Sequence, residues 1–193
     1  PTEADYRSMK KLQCIMPITN IPSVMEHGIL CHTLAGILPH YSVAIQSAQE
    51  KRAGIKLPDG RPLHDFANIY FHARNPMIYK LRSVAAKLCV LIISEDILKL
   101  SDVWVSDGNA ASARYTKFCR VEEMHDILNW EIINANTWRF EGSNVADPVK
   151  RRIKCAEALV YECIPPMYIN GAYVIDLIRK QKLEDVGFEL PIE

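Results

Sequence analysis

The chain carries no net charge: 23 lysines and arginines balance 23 aspartates and glutamates, and the pI is about 7.4. Such a chain has no global field to draw in nucleic acid or a membrane surface. Any partner of that kind has to be held by a local patch. Long apolar runs are also missing. The longest, "LCVLII", is far too short to span a bilayer. The opening residues "PTEADYRSMKK" contain no apolar region of the sort a secretory signal needs. No GxGxxG follows a strand and there is no Walker loop, so the usual dinucleotide and triphosphate cradles are not signalled. HExxH and paired Cys/His spacings are absent, which removes the common zinc sites. There is no GxSxG elbow. The six histidines (His27, His32, His40, His64, His72 and His125) are scattered, and each reads as structural or exposed rather than catalytic. What remains is metal-free chemistry built on carboxylate and arginine.

The 193 residues suggest one domain, residues 1–193, with a core large enough to need no staples. Hydrophobic residues at 49% and charged residues at 24% are ordinary for a globular chain. Cys14, Cys31, Cys89, Cys119, Cys155 and Cys163 form no CxxC pair. Several lie inside apolar runs and read as small core hydrophobes. This usage favours a reducing, cytoplasmic compartment.

Local patterns place the elements. "LQCIM" (Leu12 to Met16) reads as a first strand. A helix follows, capped by Thr19 or Asn20, with Pro22 in its first turn and Gly28 at its end. "YSVAIQSAQEKRAG" reads as a second helix, and the Pro-Asp-Gly of "KLPDGRPLHD" as a turn. In "NIYFHARNPMIY" the first half is strand-like until Pro76 interrupts it. "KLCVLIIS" is the clearest buried strand, "WVSDGNAAS" a short strand and turn, and "VEEMHDILNW" a helix. "NANTWRFEGSNVADPVKRR" is irregular or only partly helical. "IKCAEALVYE" and "YINGAYV" read as strands, and "VIDLIRKQK" as a terminal helix. Helices dominate the first half and strands cluster later, which points to an α+β fold.

The stretch "IKCAEALVYE" poses a problem. As a strand it puts Lys154, Ala156, Ala158 and Val160 on one side and Cys155, Glu157, Leu159 and Tyr161 on the other. Both sides look buried, and a buried carboxylate is paired, protonated or functional. Glu157 either meets an arginine or a sheet edge, or it is presented into a cleft. There it would hold a sugar hydroxyl and steady positive charge as a glycosidic bond breaks. Just upstream, Lys150, Arg151, Arg152 and Lys154 form either a solvated charge run or a local phosphate-binding patch. Trp138 and Phe140 could stack on a base or anchor their loop.

The blocks "ITNIPSVMEHGIL", "IQSAQEKR", "PLHDFANIYFHARNPMIY", "VSDGNAAS", "LNWE" and "KRRIKCAEALVY" occur in this order between Ile18 and Tyr161. Together they resemble the DarT family, bacterial DNA ADP-ribosyltransferases of toxin–antitoxin systems. The resemblance implies an ADP-ribosyltransferase-like fold, a split pair of small, mainly antiparallel sheets around a NAD cleft with flanking helices. It implies transfer of ADP-ribose from NAD onto a base in single-stranded DNA, with release of nicotinamide and no metal. Thymine is the usual acceptor, and guanine is that of another branch. The family's catalytic glutamate falls on Glu157 and its catalytic arginine on Arg52. Cys14, Ile15, Met16, Ser23, Cys31, Arg52, Tyr70 and Met77 fall on positions that face NAD, and residues 36–55 on the segment that folds over it. The span from Asp107 to Glu157 would be the substrate-recognition loop. Asn109, Trp138, Lys150, Arg151, Arg152 and Lys154 would meet DNA.

The resemblance also implies a macrodomain antitoxin as partner and no membrane association. Two departures are visible. Cys14-Ile15-Met16 stands where the family usually carries His-Ile-Thr, so a histidine contact to NAD is gone. Asn109 stands where relatives can carry histidine. An acceptor other than DNA, such as RNA or protein, and a catalytically silent module that binds NAD or single-stranded DNA are the competing readings.

Overall fold

The computed structural model of the protein describes residues 11–193. The opening stretch read above for targeting signals therefore lies, apart from Lys11, outside the described residues. In chain order the elements are β1 (Leu12–Pro17), α1 (Ile21–His27), β2 (Ile29–Leu30), α2 (His32–Ala35), α3 (Gln46–Ala53), β3 (Phe66–Tyr70), α4 (Pro76–Lys80), β4 (Leu88–Ile93), β5 (Val103–Ser106), β6 (Phe118–Arg120), α5 (Met124–Ile127), α6 (Trp130–Asn134), α7 (Pro148–Ile153), β7 (Glu157–Tyr161), β8 (Cys163–Ile164), β9 (Ile169–Tyr173) and α8 (Leu177–Asp185). Short 3-10 segments link several of them.

Seven strands form one antiparallel sheet in the order β6-β5-β7-β3-β1-β4-β9, and β2 pairs with β8 as a separate ribbon. The sheet is not uniformly knit. β1 and β4 share a register from Leu12↔Ile93 to Pro17↔Leu88, and β3 and β7 one from Phe66↔Tyr161 to Tyr70↔Glu157. β1 and β3 share a single pair, Gln13↔Tyr70. The sheet is thus two half-sheets joined at one point, and the expected α+β fold with a split antiparallel sheet is borne out. The Gln13 side chain reinforces the joint: its Oε1 accepts from the Ala73 amide at 2.6 Å. Past Gln13 the two strands part, and a cleft opens between them.

The main core lies on one face of the sheet, with Leu12, Ile69, Leu91 and Val105 fully buried and Ile21 and Val24 of α1 and Leu183 of α8 packed on it. A second, smaller cluster of Leu57, Leu63, Phe66, Trp104, Ala110 and Leu159 covers the other face beside β7. Each fully buried Leu, Ile, Val or Phe among them contributes about 1.5–3 kcal/mol. The alternation expected along β7 holds: Ala158 and Val160 enter the main core, and Leu159 enters the second cluster.

Three expectations need correction. The stretch from Ile153 is not strand throughout. Asp147 accepts from the amides of Val149 and Lys150 and Pro148 occupies the first turn, so a capped helix runs to Ile153 and the strand begins only at Glu157. "VEEMHDILNW" is not one helix, because the Asn129 carboxamide caps a new one at Trp130. Helices do not dominate the first half: β1 to β4 alternate with helices there, because α1 to α4 are short and leave room for strands between them.

Candidate active site

Two local devices shape the cleft wall on the β3 side. Asn75 is fully buried, and its Oδ1 accepts from the amides of Met77 and Ile78 at 2.8 and 3.2 Å. Its Nδ2 donates to the His72 carbonyl. With Pro76 behind it, this cap ends the extended chain after β3 and starts α4, which places Met77, Lys80 and Leu81 along the cleft. The second device is Gly108, where a Cβ would lie 2.5 Å from Arg152 Nη1 and 2.9 Å from the Arg152 carbonyl oxygen. Only glycine lets α7 pass this close. The Asn109 amide then donates to the Arg152 carbonyl at 3.0 Å, and Arg152 pairs with Asp107 at 2.7 Å.

The cleft has a volume of about 480 Å³, within the ~300–1,000 Å³ usual for ligand sites. One side is lined by Cys14, Ile15 and Met16 of β1 with Ser23 of α1, the other by Asn68 and Tyr70 of β3 with Met77 of α4. Residues 38 and 40–45, which have no regular structure, close over it ahead of α3. Asn20 ties this cover down, donating to the Tyr41 carbonyl and accepting from the Tyr41 amide, both at 2.9 Å. Asn109, Ser112, Arg151 and Arg152 form the rim opposite.

Arg52 lines the cleft, and Glu157, which does not itself line it, meets Arg52 from behind. Arg52 Nη1 lies 3.2 Å from both Glu157 oxygens, and the Ala110 amide donates to Oε1 at 2.9 Å. Glu157 is 1% exposed and Arg52 8%. Glu157 therefore has both fates that its sequence setting allowed: an arginine partner and a place beside a cleft. Its register neighbours explain the placement. Glu157 pairs with Tyr70 of β3 on one side and Ser106 of β5 on the other. The span expected as a recognition loop leaves β5 at Ser106 and returns to Ser106's own partner. It is a folded excursion carrying β6 and α5 to α7 rather than an open loop.

Burial sets the protonation of several groups in and behind the wall. It pushes the Cys14 and Cys155 thiols up to about 12, so both stay neutral. Burial, then the nearby Glu157 carboxylate, raises the Tyr70 phenol well above its ordinary value. His64 stacks on His32 with ring centroids 4.2 Å apart, and burial, then His32, lowers its pKa.

Of the residues expected to face NAD, Cys14, Ile15, Met16, Ser23, Arg52, Tyr70 and Met77 line the cleft. Cys31 does not. It is 1% exposed, and its Sγ accepts from the Leu34 amide as the cap of α2. Of the residues expected to meet DNA, Asn109, Arg151 and Arg152 line the cleft, while Trp138 and Lys150 lie outside the lining. Lys154 is corrected: it is 0% exposed and its Nζ donates to the Ile133 and Ala135 carbonyls at 2.8 and 2.7 Å. It holds the end of α6 against α7 and cannot reach a phosphate. Arg152 spends its charge on Asp107. Asn20, Asn68 and Ser112 line the cleft without having been expected there. Asn20 carried a signal, as a polar residue beside the first helix, but it read only as a cap. Among the described residues no group of three His, Cys, Asp or Glu is placed to hold a metal ion, and no helix is long and apolar enough to cross a membrane.

Residues 14–191 match the family model described as DarT, ssDNA thymidine ADP-ribosyltransferase. The chain belongs to the DarT family. It is 36% identical over 180 residues to a DNA ADP-ribosyl transferase–DNA ADP-ribosyl glycohydrolase fusion protein of Thermosipho africanus, a match covering 89% of this chain and 44% of that protein. The chain thus spans less than half of that DarT relative. Thermosipho africanus DarTG in complex with ADP-ribose superposes with a TM-score of 0.82 at 34% identity, covering 95% of this chain and 49% of that one. Thermus sp. 2.9 DarT in complex with ADP-ribosylated ssDNA superposes at 0.81 over 95% of this chain and 93% of that one. At 24% identity, this second likeness speaks for the DarT fold. The same Thermus protein has been solved with NAD+, with a TM-score of 0.76 at 23% identity, covering 95% of this chain and 94% of that one.

Proposed function

We propose that the chain is a NAD-dependent DNA ADP-ribosyltransferase. It transfers ADP-ribose onto a base of single-stranded DNA, thymine in line with the family description, and releases nicotinamide. The observation that carries this reading is the Arg52–Glu157 pair, 3.2 Å apart, with Arg52 lining the cleft and Glu157 directly behind it, in a chain of this family. The cleft's volume and its mixed walls, apolar from Ile15 and Met77 and polar from Asn20, Asn68 and Tyr70, suit an elongated dinucleotide.

When bound, NAD supplies the ADP-ribosyl group and, in nicotinamide, a leaving group. Glu157 Oε2 has Arg52 as its hydrogen-bond partner, which leaves a lone pair to accept a ribose hydroxyl. Its charge then steadies the positive charge that builds at the anomeric carbon as the bond to the nicotinamide nitrogen breaks. The electron pair of that bond leaves with nicotinamide. A ring nitrogen of the base forms the new bond to the anomeric carbon, and its proton passes to solvent. Arg52 is a poor base because it holds its proton so tightly. Its part is electrostatic: it polarises the base and screens Glu157. A base has to be unstacked to enter such a cleft, hence the requirement for a single strand. Arg151 on the rim, with Lys150 and Trp138 beyond it, lies along the approach of the strand.

An ADP-ribosyl glycohydrolase is the partner this reading carries, expected as a macrodomain antitoxin. The Thermosipho relative, which joins transferase and glycohydrolase in one protein, supports it. We read residues 1–193 as one catalytic domain. The six free cysteines support a cytoplasmic setting.

The test is nicotinamide release from NAD with and without DNA. Single-stranded oligonucleotides should stimulate release severalfold and acquire the label of the NAD adenosine, and duplexes of the same sequence should do neither. Release that ignores DNA, or label that goes to protein or RNA instead, would overturn the reading.

A further inference from the structure

Residues 66–94 contain no aspartate or glutamate, yet they carry Arg74, Lys80, Arg82 and Lys87. On a chain of zero net charge this is a one-signed strip, and it runs through α4 along the cleft edge. Tyr79 of α4 does not line the cleft and is 52% exposed. Three contacts build a platform around it. The Trp138 ring meets it edge-on, with centroids 5.8 Å apart. The Arg82 guanidinium lies 4.4 Å from its ring centroid. Arg82 Nη1 also donates to the Tyr79 carbonyl at 3.0 Å, which fixes the guanidinium there. A fourth contact ties the two segments together, with Arg74 Nη1 3.5 Å from Asn136 Oδ1.

Packing alone does not explain this arrangement. An aromatic ring on a short surface helix contributes little to the fold while half of it stays in water. Here two aromatic rings and a guanidinium are held together at the surface. Two residues before Tyr79, Met77 lines the cleft; one after it, Lys80 does too. A nucleotide in the cleft therefore has its chain neighbour within reach of this platform.

We propose that Tyr79, Trp138 and Arg82 form a stacking ledge for a base that flanks the modified nucleotide, outside the cleft. The inference rests on the reading of the chain as a single-strand DNA ADP-ribosyltransferase and extends it to a subsite. One face of the Tyr79 ring receives the base, Trp138 walls the edge, and Arg82 meets the adjoining phosphate. Stacking tolerates any base, because every base has a π face. The ledge adds affinity and sets the register of the strand without reading much sequence. With the flanking base parked there, the target base is the next to turn into the cleft.

The test combines enzyme variants with an abasic scan of the substrate. A single-stranded oligonucleotide carrying one target thymine is made with one abasic site, moved through each flanking position. Initial transfer rates are measured for the parent, Tyr79→Ala, Tyr79→Phe and Arg82→Ala. Losing one base–aromatic stack costs about tenfold or more in KM for the oligonucleotide. The ledge predicts that cost for Tyr79→Ala on the intact oligonucleotide, with the NAD KM and saturated kcat held, and near-parental behaviour for Tyr79→Phe. It further predicts one flanking position at which an abasic site penalises the parent about tenfold and adds nothing to Tyr79→Ala. A merely structural Tyr79 would give additive penalties at every position, and that result would refute the ledge while leaving the transferase reading standing. Failure of the parent to modify any oligonucleotide would overturn the transferase reading and the ledge together.

Discussion

Removing the charge from Glu157 should act on stability and on chemistry separately, and three variants pull the two apart. In Glu157→Ala the Arg52 guanidinium, 8% exposed, loses its counter-charge and the Ala110 amide loses its acceptor. Removing one partner of a buried pair costs about 3–5 kcal/mol. Arg52 borders the cleft and water can relieve it there, so the lower end applies, about 3 kcal/mol. In a chain of this size each kcal/mol moves Tm by roughly 2–4 °C, a fall of about 6–12 °C. Glu157→Gln keeps an oxygen for the Ala110 amide and should fall less. The double variant Arg52→Met/Glu157→Leu leaves no unpaired charge, so its Tm should lie above that of Glu157→Ala. Transfer, measured below every Tm, should drop about a hundredfold or more in all three, because a charge that acts at the reacting carbon is gone. Thermal melts and initial rates on the same preparations read both effects. A Glu157→Ala protein melting within about 1 °C of the parent, or a double variant melting below Glu157→Ala, would refute the buried-pair reasoning.

Gln13→Ala removes the side-chain link across the single joint between the half-sheets. It leaves the Ala73 amide without its partner, a loss of about 1–3 kcal/mol that thermal melting would show, with a rise in the NAD KM as the cleft loosens. Gly108→Ala drives a Cβ against Arg152 and should cost about 1–3 kcal/mol of stability, with a larger loss of transfer than Gln13→Ala. Unchanged kinetics would show that α7 can move aside freely. The Arg61 guanidinium, through its hydrogen bond, holds the Asp59 carboxyl down to about 2. A lowered folded-state pKa contributes stability above the ordinary carboxylate value of 3.8, lost as pH falls toward about 2. Urea unfolding from pH 5 to pH 2 should therefore show a smaller acid loss for Asp59→Asn than for the parent, and equal losses would remove Asp59 from the acid response.

The route from sequence to site was legible where local chemistry and pattern agreed. Pro76 was legible as the interruption of a strand-like run, though not as the start of α4, and the period-2 alternation of Ala158, Leu159 and Val160 survives in the fold. Glu157 announced itself because a carboxylate inside an apolar strand needs a reason. Arg52 did not, since it ends a polar helix and only the fold carries it across 105 positions to Glu157. Lys154 and Cys31 were misread for one physical reason. Each is a polar group that satisfies backbone atoms, Lys154 on two carbonyls and Cys31 on an amide, and sequence spacing does not distinguish that from facing a ligand. The single joint at Gln13 was equally hidden, because strand divergence depends on register across strands distant in the chain. Tyr79 carries no signal of its own in the sequence, because the Trp138 ring that meets it comes from inside the recognition span, distant in the chain.

Tandem mass spectrometry of the reaction product tests the central claim most directly. The protein is incubated with NAD and a single-stranded oligonucleotide containing one thymine, beside a Glu157→Gln control at matched concentration. The account predicts one ADP-ribose per oligonucleotide, fragments that place it on the thymine base rather than on sugar or phosphate, and no product from the control. Addition that persists undiminished in Glu157→Gln, or an oligonucleotide left unmodified while NAD stays intact, would contradict it.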